Sequence, residues 1–266
     1  RKCLYCNFVS YPGKDYDIQE YFKALRRELE WYKDHELLSE YCPHTLYVGG
    51  GTPSLVTEEL ILFFQSCCNL LPFGSFKETT IEVNPGTISF SQFPQLYQTG
   101  FNRISIGVQS FHDEELRTLG RIHTCEEAIA CFQAARRAGF RNINLDLIFG
   151  IPDSTLVTWE FMVNTAISLQ PEHISTYNLT IEEGTPFWEQ MHQGTLSLPD
   201  EDLQFNMYTS GIATLTQAGY EHYEISNFAI PDYQSQHNQI YWRNEEYLGL
   251  GAGAHSYLKG RRYWNS

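Results

Sequence analysis

Short runs rich in β-branched and aromatic residues recur along the chain, each stopping at glycine, proline or a polar residue, with segments of helical length between them. The runs are Thr45–Val48 before Gly49-Gly50-Gly51-Thr52-Pro53, Thr79–Val83 before Asn84-Pro85-Gly86, and Arg103–Ile106 before Gly107-Val108-Gln109-Ser110. Two more follow, Ile143–Ile148 before Gly150-Ile151-Pro152, and His173–Leu179. Strands that alternate with helices run parallel, because a parallel pair needs a long crossover that a helix supplies. The pattern therefore predicts an α/β fold, with a partial or complete (β/α) barrel as first choice and an open doubly wound sheet as second.

The intervening segments carry helix signals. Ser89 with Gln92, and Thr124 with Glu127, have the spacing of a capping box. Ala128, Cys131, Phe132 and Ala135 form an apolar stripe suited to packing on a sheet. Tyr16–Leu38 reads as a long helix. Gly100-Phe101, Gly139-Phe140 and Gly219-Tyr220 each close a helical pattern and precede a strand pattern, at separations of 39 and 80 residues, one and two repeat units.

Composition limits the partners more than the fold. Among 266 residues, 42% are hydrophobic, enough for a packed core and too many for a disordered chain. The net charge of −14 disfavours nucleic acid and anionic membranes, which carry the same sign. Seven cysteines, an odd number, argue against a complete disulfide framework and for a reducing, cytoplasmic setting. No transmembrane segment is expected, since the longest charge-free stretch, Leu203 to Tyr220, is interrupted by Gln204, Asn206, Ser210 and Gln217.

Active sites of such folds lie at the carboxyl ends of the strands, where this chain places Gly50, Gly51, Thr52, Glu82, Gln109, Asp146 and Tyr177. Cys3-Leu4-Tyr5-Cys6 has a spacing that suits one metal, one cluster or a redox disulfide. No second pair of that spacing exists among Cys42, Cys67, Cys68, Cys125 and Cys131 to complete a zinc site, and Cys67 and Cys68 are expected in the core. The glycine run lacks the lysine of a phosphate-binding loop, so it serves close backbone approach to some other ligand. Glu82, Arg121 and Asp146 could bind a zwitterionic ligand bearing a ribose.

Taken in order, C-x-x-C, G-G-G-T-P, E-V-N-P, G-V-Q-S, L-G-R and D-L-I-F-G resemble the radical S-adenosylmethionine enzymes of the oxygen-independent coproporphyrinogen III oxidase group. The resemblance covers essentially the whole chain. Within that group the chain is most similar to the heme chaperones. Phe8 stands where the oxidases carry a further cysteine, and His237-Asn238-Gln239-Ile240-Tyr241-Trp242 matches the H-N-x-x-Y-W motif associated with heme binding. The resemblance implies a radical SAM partial barrel over residues 1–220 and a C-terminal extension over 221–266 that begins a further domain. It also implies that the first barrel strand and the first cysteine of the C-x-x-x-C-x-x-C cluster motif lie upstream of Arg1, so that the chain is a fragment.

The same resemblance assigns the residues. Cys3 and Cys6 match ligands of a [4Fe–4S] cluster, and Tyr5 matches the aromatic beside the adenine of S-adenosylmethionine. Gly50, Gly51 and Thr52 match the loop that receives the methionine end, and Arg121 the partner of its carboxylate. Glu82, Gln109 and Asp146 match further contacts to this cofactor, and His237 an axial ligand of heme. In the family, one-electron reduction through the cluster cleaves the cofactor to a 5′-deoxyadenosyl radical. The function so implied is heme delivery to an acceptor protein, with an electron donor for the cluster. The alternative is oxidative decarboxylation of coproporphyrinogen III, and radical modification of RNA is disfavoured by the negative charge.

Overall fold

The computed structural model describes residues 2–10, 17–35, 41–70 and 76–266. Five parallel strands form its centre: β1 (Thr45–Val48), β2 (Glu78–Val83), β3 (Arg103–Gln109), β4 (Ile143–Phe149) and β5 (His173–Asn178). Each pairs with the next in chain order. A doubly wound sheet reverses its order at a switch point, and β1 to β5 contain no reversal. The arrangement is that of a partial barrel; the sheet ends openly, at β1 on one side and at two short antiparallel strands, β6 (Glu221–His222) and β7 (Asn227–Ala229), on the other.

Crossover helices cover one face. They include α2 (Thr57–Leu70), α3 (Gln92–Thr99), α5 (Cys125–Ala138) and α6 (Leu156–Ser168); α8 (Glu201–Gln217) adds Met207 and Leu215 to the same core, while the short α4 (Asp113–Thr118) and α7 (Pro186–His192) lie in the loops after β3 and β5. Alternate strand residues meet them: Ile81 and Val83, then Ile104, Ile106 and Val108, then Leu145, Leu147 and Phe149, all buried. Helix side chains such as Phe64, Leu96, Phe132 and Trp159 complete this core. Each such aliphatic side chain contributes about 1.5–3 kcal/mol on leaving water.

The other face is different. Its residues, one register step away, are Tyr47, Glu78, Thr80, Glu82, Arg103, Ser105, Asn144, Asp146, His173 and Ser175. Sheets covered by helices on both faces have near-continuous apolar strands, whereas these alternate, so the inner face forms a polar lumen. The expected helix closures occur at Gly100 and Gly139, with φ of 119° and 111°.

Two further helices flank the barrel. α1 (Ile18–Asp34) packs Leu25, Leu29 and Tyr32 against Phe63 and Cys67 of α2. The ends of the predicted Tyr16–Leu38 helix, Tyr16 and residues 36–38, lie outside the described residues. α9 (Gln236–Trp242) follows β7, and the β8 (His255–Leu258) and β9 (Arg261–Trp264) strands form a separate antiparallel hairpin. Asn265 reaches back to Glu28 of α1 at 2.7 Å. No described helix is long and apolar enough to cross a membrane.

Two local expectations fail. Thr124 and Glu127 form the full capping box, but Ser89 does not cap α3. Its hydroxyl turns instead to that of Ser91 at 2.9 Å, and only the return bond from its own N–H to Gln92 forms, also at 2.9 Å. Cys67 is buried as expected while Cys68 is exposed, because the next helical residue points about 100° away.

Candidate functional site

The rim residues are positioned by the carboxyl ends of β1 to β4. After β1 the chain enters Gly49-Gly50-Gly51. A side chain at Gly49 would come within 2.7 Å of Glu82 Oε1, so only glycine lets the loop pass the β2 carboxylate. Gly50 N–H donates to Glu82 Oε2 at 3.1 Å, and Tyr47 Oη–H donates to Oε1 at 2.7 Å. Burial pushes the Glu82 carboxyl up to about 7, with the neighbouring Asp146 adding to the rise and these donors opposing it. Asp146 on β4 accepts from Ser105 at 2.9 Å and from Asn144 at 2.8 Å. Burial raises its carboxyl as well.

Arg121 connects these strands to the cysteine loop. Its Nη2 donates to Asn84 Oδ1 at 2.5 Å and to the Gly107 carbonyl at 2.8 Å, while Nη1 lies 3.4 Å from Cys3 Sγ. Asn84 in turn donates to Thr52 Oγ1 at 3.3 Å, tying the loop after β1 to the loop after β2. Gln109 ends β3 at a register shift with φ of 68°, and its amide lies 3.0 Å from where a Gly107 side chain would begin. The bulge turns the last strand residue onto the same rim.

The Cys3–Cys6 segment is clamped in place. Leu4 N–H donates to the Leu119 carbonyl at 3.1 Å, and Phe187 N–H donates to the Leu4 carbonyl at 3.1 Å. Leu4 and Tyr5 pack on a buried cluster of Leu119, Ile148, Ile151, Leu179 and Phe187. A side chain at Gly120 would sit 2.8 Å from Leu4 Cγ, and its φ of 74° is one that glycine tolerates. Tyr5 is influenced by Arg121, Cys3 and Cys6 together, and burial raises its hydroxyl. Cys3 and Cys6 offer two of the thiolates that a cluster takes, on a clamped loop beside a guanidinium, and no group of three metal-ligating side chains occurs among the described residues.

Cys3, Tyr5, Gly50, Thr52, Glu82, Gln109, Arg121 and Asp146 are thus linked at one end of the sheet, with Gly51 in the same loop, near Ser10. His237 is elsewhere. Its Nδ1 bonds Thr45 Oγ1 at 2.8 Å, so it sits at the start of β1, about 10 Å from the rim at ~3.3 Å per strand residue. Its Nε2 bonds Tyr241 Oη at 2.8 Å, and its ring stacks on Tyr47 at 5.2 Å. Glu78, at the start of β2, fixes this helix by accepting from the N–H groups of Gln236 and His237, each at 2.9 Å. Burial, with the Arg103 charge adding, lowers the His237 imidazole to about 4 and holds it neutral.

Sequence reasoning missed several residues. Asn84 belongs to the E-V-N-P motif, and its position just after a strand end is the signal that could find it. Tyr47, Arg103, Asn144 and His173 became visible only when the strand registers set them on one face. Asn144 joins Asp146 to His173, whose Nδ1 is 2.6 Å from Asn144 Oδ1 and whose Nε2 is 2.7 Å from Tyr223 Oη. Tyr177, expected on the rim, is on the inner register of β5 and partly exposed.

Residues 1–166 match the model of the radical SAM superfamily. The heme chaperone HemW of Bacillus subtilis is 38% identical over 265 residues, which is 99% of this chain and 69% of that protein. HemW of Escherichia coli is 39% identical, with 96% of this chain and 66% of that protein aligned. Among solved structures, coproporphyrinogen III oxidase (HemN) from Escherichia coli, a radical SAM enzyme, superposes with a TM-score of 0.81 at 25% identity. That match covers 96% of this chain and 62% of HemN. The chain spans about two thirds of the length of these relatives.

Proposed function

The chain belongs to the radical SAM superfamily, and on that premise we propose that it acts as a heme chaperone, binding S-adenosylmethionine and an iron–sulfur cluster at the strand-end rim and carrying heme for delivery to an acceptor protein. The observation that carries the cofactor half of this reading is the Arg121 side chain, which bridges Cys3 Sγ, Asn84 and the end of β3. Cys3 and Cys6 would supply two thiolates to a [4Fe–4S] cluster. When bound together, the cluster and S-adenosylmethionine supply one-electron reductive cleavage of a carbon–sulfur bond.

The protein's own residues orient and shield. Gly50, Gly51 and Thr52 offer backbone and hydroxyl groups to the methionine end of the cofactor. Arg121 offers a guanidinium edge to its carboxylate, and Glu82, Gln109 and Asp146 line the approach. Glu82 is poised to ionise as a cationic ligand arrives, because its carboxyl titrates near neutrality. Tyr5 rests on the Phe187 cluster and shields one side.

For the cargo, the 221–266 extension supplies His237 with Tyr241 and Trp242, which are partly exposed. Iron binding through His237 Nε2 requires the Tyr241 hydroxyl to let go of that nitrogen. Relatives named as heme chaperones and the replacement of the additional oxidase cysteine by Phe8 both favour cargo carriage over decarboxylation of coproporphyrinogen III. The reading carries with it a cytoplasmic location, an electron donor and a heme-accepting protein.

Anaerobic reconstitution of the full-length protein, followed by heme titration and assays for 5′-deoxyadenosine and porphyrinogen turnover, tests it. Stoichiometric heme binding without porphyrinogen conversion is expected. Conversion of coproporphyrinogen III would replace the chaperone reading with the oxidase one.

A further inference from the structure

Arg103 opens β3 on the inner, polar register, directly across from Thr80 of β2, and is only 2% exposed. Its Nε has no hydrogen-bond partner, and neither does the facing Thr80 Oγ1. No carboxylate among the described residues pairs with its guanidinium; their ion pairs are Lys23 with Glu20 and Arg136 with Glu172. Glu82 and Asp146 feel its charge from beyond ion-pair distance, so the guanidinium is compensated only diffusely and a direct carboxylate partner is left to come from outside the chain.

The three carboxylates on the inner face do not fill that role. Glu78 accepts from the N–H groups of Gln236 and His237 and from the Ser235 hydroxyl at 3.5 Å. Glu82 accepts from Tyr47 and Gly50, and Asp146 from Ser105 and Asn144. Yet the Arg103 charge is felt by Tyr47, Glu82, Asp146, His173 and His237, groups from β1, β2, β4, β5 and α9. Arg103 shares the inner face with the rim carboxyl groups of Glu82 and Asp146 and with Glu78, which holds the helix that bears His237.

We propose that Arg103 is a binding residue for a carboxylate of the cargo, gripping a porphyrin propionate within the lumen through its planar fork of N–H donors. The proposal rests on the reading of this protein as a porphyrin carrier, and gives Arg103 a role that neither the cluster nor S-adenosylmethionine uses. His237 is close by along the sheet: Thr80, the register partner of Arg103, is two residues from Glu78, which accepts from the His237 N–H at 2.9 Å. Thr80 Oγ1 adds a second polar contact beside the fork.

The test compares heme with its dimethyl ester, which has the same ring and iron but no carboxylate charge, on the full-length protein. Wild type is expected to bind heme about tenfold or more tighter than the ester, a loss in keeping with a charge-assisted hydrogen bond. Arg103→Gln is expected to bind both forms equally and at the level of wild type with ester. Arg103→Lys, which keeps the charge but not the fork, should fall between. Equal affinity of wild type for heme and ester overturns the proposal, and does so even if the Arg103 variants fail to fold. A preference for heme that survives in Arg103→Gln places the carboxylate elsewhere and also overturns it. If sodium propionate or chloride abolishes the preference only in wild type, a small anion competes for Arg103 as expected. Absence of heme binding in wild type removes the carrier reading itself, and this proposal with it.

Discussion

The His237 imidazole stacks on the ring of Tyr47, with centroids 5.2 Å apart and planes 23° from parallel. The same tyrosine donates its hydroxyl to Glu82, so one side chain spans from the helix at the start of β1 to the ligand rim at its end. The rim and the H-N-x-x-Y-W helix therefore share a wall, though they face different ends of the sheet.

Tyr47→Phe keeps the stack and removes the bond to Glu82. Loss of a donor to the ionised carboxylate should push Glu82 further above its present value of about 7. S-adenosylmethionine binding at pH 7.5 is expected to weaken a few-fold, in line with about 1 kcal/mol for one hydrogen bond, with heme affinity unchanged. Isothermal titration of each ligand checks both halves.

Glu82 also sets a pH dependence of stability. Its folded carboxyl lies above the usual 4.5, so the folded protein holds its proton more tightly than the unfolded chain. Stability is then greatest below pH 4.5 for this group and declines until about pH 7, by about 3 kcal/mol in all. Glu82→Gln should flatten that decline in urea unfolding measured across pH 4.5 to 7.5, offset in part by its poorer fit to two donors.

His237 has the opposite sign. A folded imidazole lowered to about 4 stays neutral while the unfolded one protonates near 6.5, so its contribution is intact above 6.5 and fades as pH falls toward 4. His237→Gln should remove this acid sensitivity. The same unfolding series on both variants separates the two contributions.

The Tyr241 hydroxyl occupies His237 Nε2, the nitrogen that the proposed heme site would offer to iron. Tyr241→Phe is expected to raise heme affinity roughly fivefold, the equivalent of one released hydrogen bond, and His237→Ala to lower it strongly. Optical titration reads both. Undiminished affinity in His237→Ala would remove that residue as the ligand.

Gly120→Val adds bulk where Leu4 lies 2.8 Å away, at a φ that disfavours a branched side chain. It should displace the cysteine loop and lower cluster content after reconstitution, with a loss of stability of about 1–3 kcal/mol. Iron analysis and thermal unfolding report on the two effects separately.

Much of this was legible in the sequence because β-strand side chains alternate and strand ends are punctuated. The glycine run after Val48, the Asn84-Pro85-Gly86 turn and Gly150 marked the carboxyl ends of β1, β2 and β4, and these are where the rim forms. The short strands β6 and β7 escaped, since two or three residues carry no periodicity. The polar lumen also escaped: Arg103, Asn144 and His173 are ordinary polar residues one by one, and only inter-strand register puts them together. Where His237 lies relative to the rim depended on Glu78 capping α9, a contact between residues 159 positions apart.

In the proposed site, Cys3, Cys6 and Arg121 would hold a cluster and S-adenosylmethionine side by side on one rim. Electron paramagnetic resonance of the reduced, reconstituted full-length protein tests this most directly. Adding S-adenosylmethionine should change the cluster signal in wild type and leave it almost unchanged in Arg121→Met. A wild-type spectrum identical with and without S-adenosylmethionine, at concentrations where binding is saturated, would rule out that arrangement.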